Sequence, residues 1–562
     1  MLDLRESGKL SIENSMLIDV IEKKVRVEYN TFIGCFIRKN YLMQTDLLLT
    51  ASCRNTNVSK IHDKFCRLAL LEENLIQGNI PEHLKVDNNI VADAMKQMLI
   101  KHRCQNTVIE PETHNGNSIR VVLMNLIKSI YIILNSWLFS RLFLVKNKPK
   151  KDILYVDTFL FVDSFDSDGN YNDRYYTGHE KYLEQEEKGA IWFVPTLIGI
   201  KHPSEYIKIF KQVKKSDRNF LVKESWLSAS DYLYALIYSI IIPLKIKIYP
   251  FFRGVDVSKI IKNEVYRDVG SPGLMKALCQ YRFIRRLSKE KVGLFHVVDW
   301  FENQIVDRAL NMAIKQYYPK ITVFGYQGFF GPEYYASLQP TCYELDAGTL
   351  PDVINVISDD SITLSRDVCD RLNLKLSPAF RFSHLFNFQD RRNNDTPIVL
   401  IALPIMIDES RKILQAFLRI INNLDQNIRI VVKHHPSHII ERFSQWVPEI
   451  SDPRFEYTNK GMPELLELIS VMVSSASSVC VEAVSIGVPV AIHGNRSGVT
   501  MNTIPSRVPK DLWRVFYTDN QLLDFIGDGL NNKIRNSIAH ELFHPVDADG
   551  TRALFGLQMI GH

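Results

Sequence analysis

At 562 residues the chain is too long for one hydrophobic core, so its length predicts two or three domains. With 46% hydrophobic and 23% charged residues, the composition is that of an ordinary globular protein. The net charge of +5 is small for this length, and no zinc-finger spacing, RNP-like aromatic motif or long basic run accompanies it, which argues against a nucleic-acid partner.

The cysteines and the N-terminus point to a cytoplasmic protein. The eight cysteines are scattered without a CxxC pair, and such spacing predicts neither a metal site nor a disulfide framework. The first residues, MLDLRESGKLSIENS, are charged and lack the apolar core of a signal peptide. We therefore expect a cytoplasmic protein, which leaves open a position at the inner face of the membrane.

Residues 1–150 predict a mainly helical segment to which we assign no chemistry. Two apolar stretches need a membrane check: Val121–Ser140 is long enough to span a bilayer, whereas Leu233–Leu244 is too short. We interpret both as buried helices. The alternative is that the first lies in a membrane interface, where the flanking Arg120 and Arg141 meet anionic lipid.

From Asp152 onward, strand-like and helix-like stretches alternate, which indicates βαβ units with a mostly parallel sheet and helices on both faces. The predicted strands are Ile153–Val156, Ala190–Pro195, Asn219–Val222, Val292–Val298, Ile321–Phe324 and Val353–Ile357. We assign residues 151–395 to a first doubly wound domain. Its last part, 366–395, ends in the polar string QDRRNND and predicts an interdomain linker.

A second series of the same kind occupies residues 396–562. Its predicted strands are Ile398–Leu403, Ile428–Val432, Phe455–Thr458, Ile469–Val473, Val488–Ile492 and Arg514–Tyr517. The predicted fold class is therefore α/β, with two tandem doubly wound Rossmann-like domains after a mainly helical N-terminal segment. Ligand sites in such a protein are expected in the cleft between the two sheets.

The first candidate phosphate-binding group follows a predicted strand of the second domain. In the sequence Lys433-His434-His435-Pro436, the proline fixes the turn and so orients the His435 ring. An imidazole can donate to phosphate oxygens, and Lys433 adds a positive charge. The structural alternative is a surface turn with incidental histidines.

A serine cluster ends the next long apolar strand and opens a helix. Hydroxyls and free amides at such a point can hold a phosphate, and the cluster exceeds the one hydroxyl that N-capping needs. The serines are Ser474, Ser475, Ser477 and Ser478. Glu482, farther along the same helix, can accept hydrogen bonds from ribose hydroxyls or be a solvated charge. The loop 494–503 either adds backbone amides or is a flexible turn. We expect the histidine and the serines to lie side by side, brought together by consecutive βα units.

Acidic residues of the first domain are candidates for a general base. Asp299 and Glu302 fall at the end of a predicted strand, where a carboxylate can deprotonate an acceptor hydroxyl. Capping of the following helix is the structural alternative. Four residues of an earlier loop compete for the role: Asp157, Asp163, Asp173 and His179. Four aromatic residues are candidates for a platform against sugar rings or for core: Trp300, Phe301, Tyr326 and Phe329.

The lysine-x-His-Pro element, the Ser-Ser cluster with a downstream Glu, and Gly487-Val488-Pro489-Val490 resemble the C-terminal domain of GT-B glycosyltransferases. The pattern is most similar to polysialyltransferases, capsular Kdo transferases and CDP-glycerol glycerophosphotransferases of bacterial surface polysaccharide synthesis. The resemblance implies that His435, Pro436 and the serines bind the phosphate of a CMP- or CDP-linked donor, and that Glu482 binds ribose. The family's acidic pair before glycine has no match, since Ser167 precedes Asp168-Gly169.

These observations predict a metal-independent glycosyltransferase without a cofactor, acting on a nucleotide-sugar donor and a glycan or lipid-linked glycan acceptor of a capsule or O-antigen. Closure of the two domains is expected to exclude water. Three alternatives stay open: a CDP-polyol phosphotransferase, a sugar-nucleotide epimerase of the same fold, and a non-catalytic polysaccharide assembly protein.

Overall fold

The computed structural model of the chain describes residues 1–557 except 41–48, 53, 57, 114–117, 145, 167, 249, 394, 439, 476 and 532–535. The N-terminal segment is mainly helical, as predicted, and also contains a parallel sheet in the order β1-β2-β3. Its elements are β1 (Leu2–Asp3), α1 (Ile12–Lys39), α2 (Ile61–Ile76), β2 (His83–Asn88), α3 (Asn89–Lys101), β3 (Val108–Thr113) and α4 (Ser118–Phe143).

The first doubly wound domain is a parallel six-stranded sheet with helices on both faces. Its strands are β4 (Ile153–Leu160), β5 (Ile191–Leu197), β8 (Leu294–Trp300), β9 (Val323–Gln327), β10 (Val353–Val356) and β11 (Leu374–Leu376), in the order β11-β10-β9-β8-β4-β5. A separate two-stranded sheet pairs β6 (Phe251–Phe252) with β7 (Val255–Asp256). The helices are α5 (Gln185–Ala190), α6 (Pro203–Lys215), α7 (Lys223–Trp226), α8 (Ala229–Lys245), α9 (Ser258–Asp268), α10 (Pro272–Lys289), α11 (Ile305–Tyr317), α12 (Cys342–Asp346) and α13 (Asp359–Val368).

The second domain repeats this architecture. Its strands are β12 (Ile398–Ala402), β13 (Arg429–Lys433), β14 (Glu456–Tyr457), β15 (Val471–Ser474), β16 (Val490–His493) and β17 (Trp513–Phe516), all parallel, in the order β14-β13-β12-β15-β16-β17. Its helices are α14 (Ile407–Ile420), α15 (Ile440–Trp446), α16 (Met462–Leu468), α17 (Val479–Ser485), α18 (Asp519–Asn531), α19 (Ala539–Leu542) and α20 (Ala548–Leu554). The predicted fold class, two tandem doubly wound domains in the GT-B manner, is confirmed.

The strands formed where the sequence has continuous apolar runs, because both faces of each central strand are covered. Every residue of β4, β5, β12 from Val399 onward, and β15 is buried. Two details differ from the prediction. Residues 219–222 make only one bridge, Phe193 to Phe220, and β11 lies inside the predicted linker.

The end of the chain crosses back to the first domain. A nitrogen of the His296 ring lies 3.1 Å from the carbonyl oxygen of Leu554 in α20, and Arg552 forms an ion pair with Glu187. The Tyr182 hydroxyl donates to the Val546 carbonyl at 3.1 Å. The strands of the second sheet lie between residues 398 and 516, whereas helix α20, near the end of the chain, packs on the first domain.

Two expectations about individual segments are wrong. Cys342 and Cys369 are joined by a disulfide, which the scattered cysteines did not indicate. The stretch Val121–Ser140 forms part of α4, but most of its apolar side chains are exposed and not buried. Within the described part of the chain, one helix, Ile119–Phe143, is long and apolar enough to cross a membrane, judged by length and composition alone.

Candidate active site

Glu302 lies in the turn that joins β8 to α11. The indole Nε1–H of Trp300 donates to Glu302 Oε1 at 2.9 Å, and the backbone N–H of Glu302 donates to Asp307 Oδ2 at 3.0 Å. Asp307 also accepts from the Gln304 N–H at 2.8 Å, so it caps α11 and holds the turn. Burial raises the pKa of the Glu302 carboxyl, against the opposing effects of the Trp300 hydrogen bond and the Arg381 charge.

Glu302 lines a cavity of about 660 Å³ at the carboxyl ends of β4, β5 and β8. This is the edge of a parallel sheet at which ligands bind in doubly wound folds. Phe159, Phe161 and Tyr175 line the same cavity and offer apolar faces beside the carboxyl. The aromatic residues that the sequence suggested lie elsewhere: Trp300, Phe301 and Tyr326 are core residues, and Phe329 lines a different cavity.

The second predicted base, Asp299, is in the core. Its side chain is fully buried in β8, accepts a hydrogen bond from Asn311 Nδ2 at 2.9 Å and is not among the residues that line the cavity. Burial, with the nearby Asp157 carboxyl, raises the pKa of Asp299 well above its usual value. A neutral, enclosed acid cannot take a proton from a substrate, so the proposal of Asp299 as a base is corrected.

The competing residues of the β4 loop also lie away from this cavity. Asp157 is buried, and among the charged groups around it Lys223 has the strongest effect on its pKa. Asp173 accepts from the backbone N–H groups of two following tyrosines and lies 3.7 Å from His179, while Asp163 pairs with Arg174. Each of these side chains therefore has a structural partner.

Asp268, at the end of α9, is a cavity carboxyl that the sequence did not indicate. The backbone N–H of Ser52 donates to Asp268 Oδ2 at 2.8 Å, and burial raises the pKa of Asp268 to about 6. Its partner is 216 residues away in the chain. Only the fold brings Ser52 to this cavity, so no local motif could have identified the aspartate.

In the second domain, the histidine and serine elements are not on neighbouring strands. β12 lies between β13, which precedes His435, and β15, which ends at Ser474. Strands two positions apart are separated by roughly 10 Å. The expectation that consecutive βα units bring the two elements side by side is therefore wrong, and the loop 403–406 after β12 lies between them.

The His435 ring is neutral and presents one N–H. Its Nδ1 accepts a hydrogen bond from the backbone N–H of Ser437 at 3.1 Å, which places the ring proton on Nε2. Burial, followed by the repulsion of His438 and His434, lowers the pKa of His435 to about 4. At neutral pH the side chain is thus a hydrogen-bond donor without charge. Pro436 is exposed in the same turn.

Lys433 is directed to a neighbouring loop. Its Nζ donates to the carbonyl oxygen of Lys460 at 2.7 Å, and burial lowers the pKa of its ammonium group. The ammonium group predicted to meet a phosphate is therefore bound to a backbone carbonyl in this structure. A ligand phosphate has to displace that contact in order to use it.

The four serines have different roles. The buried Ser474 hydroxyl donates to the carbonyl oxygen of Ala402 at 2.6 Å and ties β15 to β12. Ser475 is also buried, and its hydroxyl has no hydrogen-bond partner among the described residues. Ser477 and Ser478 are partly exposed, and the Ser478 side chain makes no capping hydrogen bond to α17. Three serines thus remain candidates, and Ser474 is structural.

Glu482 and the loop 494–503 have protein partners. Glu482 Oε2 lies 3.2 Å from Nε2 of His384, which belongs to the 3-10 helix Phe380–Asn387 between the domains. In the loop, the Thr500 N–H donates to Asp19 at 2.7 Å and the Ser497 carbonyl accepts from Arg67 at 2.7 Å. The N-terminal segment therefore holds this loop, which the sequence left as either a ligand contact or a flexible turn.

A second cavity, of about 300 Å³, lies between the two domains. Phe329 and Glu333 line it from the first domain, and Thr503 and Arg507 line it from the second. The Thr503 hydroxyl donates to the carbonyl oxygen of Ser477 at 2.7 Å, so the cavity adjoins the serine turn.

No protein-family model and no curated protein matches the chain. Among solved structures, it is similar to UDP-GlcNAc 2-epimerase from Neisseria meningitidis bound to UDP-GlcNAc, with 11% identity, a TM-score of 0.40 and coverage of 72% of this chain and 99% of the other. The chain is also similar to the structure of S. aureus MnaA with UDP, with 11% identity, a TM-score of 0.40 and coverage of 72% of this chain and 94% of the other. For Anabaena Alr3699/HepE in complex with UDP and glucose, the identity is 8%, the TM-score is 0.36, and the match covers 72% of this chain and 95% of the other. No functional conclusion follows from a likeness this low.

Proposed function

We propose that the protein is a glycosyltransferase that moves a sugar from a nucleotide-activated donor to a glycan acceptor, with Glu302 as the general base. The observation that carries this proposal is a carboxyl group of raised pKa in the wall of a 660 Å³ cavity at the carboxyl edge of the first sheet. A general base works best when its pKa lies near the operating pH, and burial moves Glu302 in that direction.

The acceptor hydroxyl is proposed to bind in this cavity. Phe159, Phe161 and Tyr175 provide apolar surface for the faces of sugar rings, and Glu302 accepts the hydroxyl proton as the oxygen attacks the anomeric carbon. The new bond joins that carbon to the acceptor oxygen, and the bond to the phosphate oxygen of the donor breaks. The electron pair of the broken bond leaves with the nucleotide.

The donor phosphate is proposed to lie at the carboxyl edge of the second sheet. The Nε2–H of His435 and, on the other side of the loop 403–406, the hydroxyls of Ser475, Ser477 and Ser478 are the proposed hydrogen-bond donors to the nucleotide, whose leaving phosphate gains negative charge. Because the His435 pKa is about 4, this stabilisation comes from a neutral N–H and not from a cation. A CMP- or CDP-linked donor, a bacterial capsule or O-antigen acceptor, metal-independent transfer and a cytoplasmic location are parts of the same proposal.

The decisive experiment combines nucleotide binding with product analysis. Thermal unfolding is measured with CMP, CDP, UDP and GDP, and the stabilising nucleotide then identifies the donor class for an assay of donor turnover. We expect one nucleotide to raise the unfolding midpoint and the matching nucleotide-sugar to be consumed. An epimerised nucleotide-sugar as product would replace transferase by epimerase, transfer of a polyol phosphate would indicate a phosphotransferase, and no stabilisation by any nucleotide would support a non-catalytic assembly protein.

A further inference from the structure

Helix α4 exposes a broad apolar face. It is 26 residues long, or roughly 39 Å, and most of its large apolar side chains are open to solvent. The exposed residues are Ile119, Val121, Leu123, Met124, Ile127, Ile130, Tyr131, Leu134, Trp137, Leu138 and Leu142. A patch of this size on a protein surface marks an interaction site.

The inner side of α4 combines partly buried apolar residues, such as Ile132, Ile133 and Phe139, with polar residues that bond to the first domain. Asn125 Nδ2 donates to the Arg267 carbonyl at 2.8 Å, and the Ser129 hydroxyl donates to the Gly270 carbonyl at 2.8 Å. Near the other end, the Ser140 hydroxyl donates to the Glu224 carbonyl at 3.1 Å. These bonds fasten α4 along its length to the first domain. The helix therefore lies flat on the protein and presents its apolar side outward, which is unlike a helix that leaves the domain to cross a bilayer.

Helix α8, which contacts α4, extends the same surface. Four of its large apolar side chains are exposed: Leu233, Ile237, Tyr238 and Leu244. Its only acidic residue, Asp231, is buried and forms ion pairs with Arg282 and Arg286, so it adds no exposed negative charge. We call the exposed apolar residues of α4 and α8 together the apolar face.

The charges around the apolar face are positive. α4 contains no Asp or Glu, and its charged residues, Arg120, Lys128 and Arg141, are all exposed. Exposed lysines follow both helices: Lys148, Lys150 and Lys151 after α4, where Lys146 is paired with Glu290, and Lys245 and Lys247 at the end of α8. Apolar side chains rimmed by basic ones are the pattern of an interfacial membrane helix, since the basic groups meet anionic lipid headgroups.

We propose that the apolar face docks the protein on an anionic lipid bilayer, with α4 and α8 lying in the interface. This proposal does not depend on the reaction proposed above. It does connect with the cavity that holds Glu302, because Val121 belongs both to the apolar face and to the cavity wall, and Asn125 of the same helix also lines it. Docking therefore places that cavity next to the lipid surface.

The test is flotation of the full-length protein with vesicles of phosphatidylcholine alone or mixed with phosphatidylglycerol. We expect binding to the mixed vesicles and weaker binding to phosphatidylcholine. The double variant Ile127→Gln/Leu134→Gln, which changes side chains that are 61% and 58% exposed, should lose at least about tenfold in affinity. The double variant Arg120→Gln/Lys128→Gln should lose roughly 30-fold in affinity, on the mixed vesicles only.

The matched control is Ile76→Gln/Ile80→Gln. It changes two isoleucines of similar exposure, 63% and 54%, at the end of α2 and just beyond it, away from α4 in the sequence. It should bind vesicles like the wild type, and all variants should unfold at the wild-type midpoint. The proposal is overturned if the wild type does not float with mixed vesicles, if it binds both vesicle types equally, or if the control loses as much as the α4 variant. It is also overturned if the protein is a dimer that Ile127→Gln/Leu134→Gln converts to monomer, since a second copy would then cover this face.

Discussion

Replacement of Glu302 by glutamine tests the proposed base with little change in shape. The glutamine carbonyl oxygen can accept the Trp300 indole hydrogen bond, which spans 2.9 Å in the wild type, and the backbone bond to Asp307 does not involve the side chain. Loss of a general base lowers the turnover rate by roughly 10²–10⁴, which corresponds to about 3–5 kcal/mol of barrier. We expect a fall of this size in kcat for Glu302→Gln, measured as initial rates of donor consumption with acceptor present.

The pH dependence gives a second, independent readout. In the wild type, the rate should increase with pH as Glu302 loses its proton. Because the folded-state pKa of Glu302 is raised, this increase should occur above pH 4.5, the ordinary pKa of a glutamate. The same shift means that the folded protein binds this proton more tightly than the unfolded chain does. The contribution of Glu302 to the free energy of unfolding is therefore fully present below pH 4.5 and is lost as the pH rises through the folded-state pKa. Glu302→Gln should remove both the rate change and this stability change.

Asp268 provides the comparison, because its carboxyl lines the same cavity and its pKa is about 6. We expect Asp268→Asn to retain activity within a few-fold. A Glu302→Gln variant that keeps wild-type kcat would refute the assignment, and an inactive Asp268→Asn beside it would transfer the role of base to Asp268. If Glu302→Gln instead unfolds at a much lower midpoint, the reasoning that the glutamine preserves the turn is wrong.

Four further substitutions test the second domain and the buried ion pairs of Glu344. His435→Ala should weaken nucleotide binding roughly 10-fold or more in calorimetry, with unchanged stability. Because the pKa of His435 is about 4, the ratio of wild-type to variant affinity should stay constant between about pH 6 and 8. Unchanged affinity would remove His435 from the site. Ser474→Ala should lower the free energy of unfolding by about 1–3 kcal/mol, because it removes the buried hydrogen bond to Ala402. Ser475→Ala should weaken nucleotide binding without a change in stability. Equal effects of the two substitutions on stability and binding would contradict their separate roles. Glu344→Gln removes the carboxylate that pairs with the buried Arg54 and Arg308, and it should cost about 3–5 kcal/mol in urea unfolding. A loss below about 1 kcal/mol would show that these pairs are dispensable.

The sequence predicted the strands well because their signal is local. Runs such as Ile398–Leu403 and Val471–Val473 are apolar throughout, and this happens where helices cover both faces of a strand. The order of the strands is not a local property. Nothing in the residues of β12 shows that it inserts between β13 and β15, and that insertion separates His435 from the serine turn.

The same distinction applies to the candidate base. Asp299 and Glu302 both follow apolar residues at the end of β8, and their positions in sequence do not separate them. The direction of each side chain does: Asp299 points to Asn311 of α11 inside the domain, whereas Glu302, beyond the strand, reaches the cavity. Asp268 was missed because its cavity position depends on Ser52, which lies in a different part of the chain.

The N-terminal segment bears on the domain closure that the sequence suggested, because it contacts both domains. Toward the first domain its contacts include two buried charge pairs: Arg54 with Glu344, both fully buried, and Lys64 with Glu264 at 2.8 Å.

Toward the second domain, the polar contacts of the segment include partly buried hydrogen bonds to the loop 494–503 and to Tyr517, which follows β17. The Leu10 N–H donates to the Arg496 carbonyl at 2.7 Å, and Asp19 accepts from the Thr500 N–H and the Tyr517 hydroxyl. Breaking a buried ion pair costs about 3–5 kcal/mol, whereas a hydrogen bond contributes about 0.5–1.5 kcal/mol, or about 1.5–3 kcal/mol when one partner is charged. If the two domains open, we therefore expect the contacts to the second domain to break first and the N-terminal segment to stay with the first domain. Loss of the Asp19 contacts to Thr500 and Tyr517 would then mark the open state.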